Sequence, residues 1–114
     1  MKTRKTEQQV EQEDRQRYRK ALGHYLKSLR KSAGKTQLAL AEEIGFGYYT
    51  MISQVEAGTA PVPPARIAAW AKAVGVEASQ IAHRVLLSME PRLYDTIFGD
   101  VWVSRMEMDV FVGN

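Results

Sequence analysis

The chain has 114 residues, 45% of them apolar, no cysteine and a formal net charge of +3. That is room for one domain around one core, and it excludes disulfides, thiolate chemistry and the usual zinc frameworks. No apolar run approaches the roughly 18 to 20 residues of a membrane span, and "MKTRKTEQQVEQEDRQRYRK" lacks the apolar centre of a secretory signal, so a cytoplasmic location is expected.

Residues 1 to 17 read as a charged, mobile arm or a frayed extension of the first helix. Up to residue 14, Val10 is the only apolar side chain after Met1, too little burial to offset the entropy of ordering. From Tyr18 the pattern is helical: Tyr18, Leu22, Tyr25, Leu26 and Leu29 recur at spacings of three and four and share one stripe. Eight basic residues and no acid lie between Arg15 and Lys35, whereas five acids and two arginines follow from Glu90 onward. Such segregation gives one electropositive and one electronegative region, the first of them suited to a polyanion.

Gly34 ends the first helix, and Thr36 caps a second over "QLALAEEI", with Leu40 and Ile44 inward and Ala41 beside them. After Gly45 and Gly47 a third helix is expected from Tyr48 or Tyr49 to Ala57, packed through Met51, Ile52 and Val55. "TAPVPP" is a stiff connector, and Pro64 suits the first turn of a fourth helix that turns Ile67, Trp70, Ala71 and Val74 inward. A fifth, from Ala78 to Met89, buries Ile81, Val85 and Leu86. The helical domain thus spans 18–89. Residues 90–114 form an extension in which "RLYDTIF" offers one or two helical turns. Beyond it Met106, Met108, Val110 and Val112 alternate with Glu107, Asp109 and Phe111 at strand period, an oligomer contact or a grip for a protein partner.

Two short helices about a glycine bend outline a helix-turn-helix. The residues Thr36-Gln37, Leu40-Ala41, Ile44-Gly45, Ile52-Ser53-Gln54, Val55-Glu56 and Gly58 stand in the order and near-spacing of a known family. With "LKSLRKSAG" before and "PPARIAAWAKAVGV" after, residues 22 to 87 resemble the XRE-type (Cro and lambda-repressor) regulators. The resemblance implies an all-α, five-helix, lambda-repressor-like domain that binds double-stranded DNA as a homodimer and acts as a repressor. It also implies that Arg30 pairs with Glu56 as a brace. One departure stands out: "FGYYTM" holds one residue more than the common pattern between Gly45 and "ISQ", so the turn or the helix start is longer.

In helix-turn-helix proteins the start of the second helix meets base edges in the major groove. Tyr48, Tyr49, Thr50, Ser53 and Gln54 are the candidates here, Gln54 for adenine and the Thr50 methyl for thymine. One tyrosine is expected to pack under the lengthened turn and the other to reach phosphate; the sequence does not say which. Gln37, Lys35, Arg30, Lys31, Arg19 and Lys20 are candidates for the DNA backbone. If about six phosphates are neutralised, log affinity falls with log salt at a slope near −5.

Two other function classes stand beside the regulator. An antitoxin or phage-type adaptor would bind a protein through the acidic, Met-rich tail. An enzyme has little to work with: His24 and His83 are far apart in sequence, and there is no cysteine, phosphate loop or spaced carboxylate pair. No cofactor, metal or membrane is expected. Trp70 and Trp102 read as packing residues.

Overall fold

The computed structural model describes residues 4–99, which form α1 (Glu7–Ser32), α2 (Gln37–Ile44), α3 (Thr50–Glu56), α4 (Ile67–Val74), α5 (Ala78–Met89) and α6 (Pro91–Phe98). The domain is all-α, as expected, with one helix more than the five anticipated. The strand expected at 106–112, like Trp102, lies outside the described residues.

Of the two readings of the N-terminal segment, the extension of the first helix is the one found from Glu7 onward, where the chain belongs to α1 and not to a mobile arm. Thr6 and Gln9 form a capping box: the Thr6 hydroxyl accepts from the Gln9 amide at 3.1 Å, and the Gln9 side chain accepts from the Thr6 amide at 2.8 Å. Glu11–Arg15 at 3.2 Å and Asp14–Arg17 at 3.5 Å add pairs one turn apart. Each such pair contributes only a few tenths of a kcal/mol. Their sum suffices because nucleation, the costly step, is already met by the docked part of the helix from Tyr18 on.

Leu22 and Leu26 from α1, Leu40, Ala41 and Ile44 from α2, and Ile52 and Val55 from α3 meet in one core. Trp70, Ala71 and Val74 of α4 and Ile81 and Val85 of α5 close it, with Val62 of the connector plugged in beneath. Fully burying one such aliphatic side chain stabilises by roughly 1.5–3 kcal/mol. Pro64–Arg66 make a single 3-10 turn that feeds α4, so the proline starts a turn and not the helix proper.

On α5 the inward residues are Ile81, Arg84, Val85, Leu87 and Ser88, while Leu86 is only half-buried. The difference arises from α6. Leu87 and Tyr94 form a second small core with Tyr18, Leu86 and Phe98 around them, and this rotates the buried stripe of α5. Arg84 is accommodated because its guanidinium lies 3.8 Å from the centre of the Tyr25 ring and donates to the Gln80 carbonyl.

α1 and α3 cross at close range at Gly23. A Cβ there would sit 2.5 Å from the carbonyl oxygens of both Val55 and Glu56, so the backbones of α1 and α3 touch where a side chain is missing. Ala41, which the sequence placed beside Leu40 and Ile44, is buried with them, and Gly23 is the position whose size sets how α3 seats.

Candidate nucleic-acid interface

The bend between α2 and α3 is built from its first residue outward. Thr36 caps α2 by accepting from the Ala39 amide at 3.1 Å. Gly45 ends α2 at φ 90°, a conformation costly for any residue with a side chain. The Gly45 and Phe46 amides then both donate to the Ala41 carbonyl, at 3.0 and 2.9 Å. Phe46 turns inward and meets Trp70 edge-on, ring centres 6.1 Å apart. Arg66 locks the bend from the opposite side: Nη1 donates to the Ile44 carbonyl at 2.9 Å, and the guanidinium lies 5.3 Å from the Phe46 ring centre.

The expectation that one tyrosine packs under the turn is corrected. Neither packs under the turn; Phe46 does, being an aromatic with no hydroxyl to satisfy. Tyr48 is 66% exposed and Tyr49 50% exposed. Gly47, Tyr48 and Tyr49 bulge outward before α3, which starts at Thr50 and not at either tyrosine.

α3 divides cleanly. Ile52, Val55 and Glu56 are buried, while Thr50 and Gln54 are exposed and Ser53 is half-buried. The Ser53 hydroxyl donates to the Thr50 carbonyl at 2.9 Å, leaving its oxygen able to accept. The Gln54 carbonyl accepts from the Thr59 amide and hydroxyl, at 2.9 and 3.1 Å, so the loop after α3 is tied back while the Gln54 side chain stays outside. Tyr48, Tyr49, Thr50, Ser53 and Gln54 thus follow one another along the bend and the outer side of α3.

Three of the expected backbone contacts are engaged within the protein. Arg30 is buried and grips Glu56 with two bonds, Nε to Oε2 at 2.7 Å and Nη2 to Oε1 at 3.0 Å. Its Nη1 donates to the Lys35 carbonyl at 2.8 Å, and Gln37 Nε2 donates to Glu56 Oε1 at 3.0 Å. Arg30 is therefore the brace and not a phosphate contact, because its donors face the fold. Lys35 Nζ is held by Glu43 at 2.8 Å and by the Ala73 carbonyl at 2.6 Å, which pins the start of α2 to the end of α4. Of the expected cations, Lys20 and Lys31 are exposed and Arg19 is half-buried.

A protein-family model described as a helix-turn-helix domain matches residues 21–83, more than half of the chain. The chain belongs to the helix-turn-helix domain family. The matched span coincides closely with residues 22 to 87, over which the XRE-type resemblance runs. Searches of curated proteins and of solved structures gave no match. Within this helix-turn-helix domain, Phe46 and Arg66 hold the bend and Gly23 seats α3, three roles that sequence reasoning missed. Phe46 had a signal, an aromatic between two glycines. Arg66 and Gly23 had none, since each acts on a segment twenty or more residues away.

Proposed function

We propose that this protein is a sequence-specific, double-stranded-DNA-binding transcription regulator, a cytoplasmic repressor acting as a homodimer on an inverted repeat. The observation that carries the reading is the outer side of α3. Its inner residues are fully committed to the core, yet Tyr48, Tyr49, Thr50 and Gln54 stay exposed beside them. A helix of this kind fits the major groove, where base pairs display distinct donors and acceptors. Met89, Leu93 and Ile97 are exposed on α5 and α6 and supply apolar surface for self-association. The role is one of binding without catalysis: His24 is exposed on α1, and His83 is packed between Tyr94 and Phe98.

Selection of bound sites from random duplexes tests the reading, since it reports base preference, half-site symmetry and spacing together. A single, unsymmetrical half-site would count against the dimer, and no enriched sequence would defeat the regulator. On the selected site, Gln54→Ala is expected to cost roughly 1–3 kcal/mol and to relax preference at one base pair. Equal loss on selected and random DNA would remove Gln54 from the base-reading set.

The salt dependence should be shallower than the sequence alone implied. With Arg30 and Lys35 engaged within the fold, Lys20, Lys31 and Arg19 remain, so the slope of log affinity against log salt is expected near about −3 per protomer. A titration of affinity from low to physiological salt measures it; a slope steeper by about one would mean that Lys35 leaves Glu43 for phosphate.

A further inference from the structure

We infer that the half-site core read by this chain consists of A·T pairs, recognised through thymine methyl groups and an adenine edge. The inference rests on the DNA-binding reading above and specifies its substrate.

In the major groove guanine is read by the paired donors of arginine or lysine, cytosine by a carboxylate, adenine by asparagine or glutamine, and the thymine methyl by apolar contact. From Gly45 to Glu56 there is no arginine, lysine, histidine, aspartate or asparagine. The one carboxylate, Glu56, is buried and occupied by Arg30 and Gln37. Nearby cations do not fill the gap. Arg66 is turned onto the Ile44 carbonyl and the Phe46 ring, and α2 contains no basic residue. Guanine and cytosine therefore meet no dedicated partner on this surface.

What is exposed suits the other pair. Gln54 presents an amide able to donate to N7 and accept from N6 of one adenine. Thr50 offers a methyl group, and the Tyr48 and Tyr49 rings offer broad apolar faces with hydroxyls at their tips. Both rings lie exposed in the bend that carries the additional residue, and they make up the apolar part of the reading surface.

The test uses the full-length protein and synthetic duplexes. Sites are first selected from a random pool, and the best site is then remade with deoxyuridine for thymidine in the core, which removes only the major-groove methyl. Affinity is expected to fall about fourfold for each methyl in contact. Replacing a core A·T pair by G·C is expected to lower it roughly 5- to 150-fold. Unchanged binding to the deoxyuridine duplex would overturn the inference, because an A·T preference would then come from groove width and stiffness and not from methyl contact. An enriched G·C core would overturn it while leaving a DNA-binding regulator intact. A pool with no enriched sequence would overturn both.

Discussion

Glu56→Ala is expected to destabilise the domain by about 3–5 kcal/mol, the range for removing one partner of a buried ion pair. The loss is large because of what stays behind. Arg30 would keep its charge in a site where two of its nitrogens face the vacated carboxylate, at 2.7 and 3.0 Å in the intact protein. Gln37 would lose its acceptor as well. Since Arg30, Glu56 and Gln37 belong to α1, α3 and α2, the effect is to loosen the seat of α3 against both neighbours. Urea unfolding measures the stability, and affinity for a selected duplex measures the seat.

The double variant Arg30→Met with Glu56→Met separates charge from packing. Replacing both members of a buried pair by apolar residues is often neutral or stabilising, so most of the single-variant loss should be recovered. Recovery will be incomplete, because the Lys35 carbonyl and the Gln37 amide must turn to water. A double variant as unstable as Glu56→Ala would mean that shape, and not an unpaired charge, dominates at this position. The pair specifies where α3 lies more than it adds net stability.

The helical architecture was legible because it rests on local signals. Thr36 and Gly45 mark the ends of α2, and the spacing of Leu22, Leu26 and Leu29 marks the inner face of α1. Sequence reasoning failed where distant segments decide. The start of α1 depends on a capping box at Thr6 and on a helix already docked further along, which composition over a short window does not reveal. Lys35 looked like one member of a basic run, but Glu43 and the end of α4 claim it. A charge pattern records which groups exist, whereas burial and competing partners determine which of them remain for DNA. The exposure of Thr50 and Gln54 was legible for the converse reason: polar residues on a helix with a strongly apolar inner face have nowhere else to go.

Gly23→Ala tests the geometry in a manner no surface substitution can. In an isolated helix the change would be favourable by about 1 kcal/mol, since alanine is the better helix former. Here the new Cβ would lie 2.5 Å from two carbonyl oxygens of α3, and backbone atoms cannot swing aside as a flexible side chain can. α3 would have to retreat, opening its contacts through Ile52 and Val55, both buried. Overpacking of a core costs typically about 1–3 kcal/mol and occasionally more. With rigid backbone on both sides the upper end applies, so the clash outweighs the helix-propensity gain and leaves a net loss of about 2 kcal/mol. DNA affinity should fall with it, because the retreat moves every residue on the outer side of α3. Gly47→Ala is the matched control: its added Cβ meets nothing within 4 Å, so it should leave stability unchanged or slightly raised. If Gly23→Ala unfolds at the same denaturant concentration as Gly47→Ala, α1 and α3 are not in backbone contact, and the placement of the reading surface derived from that contact fails.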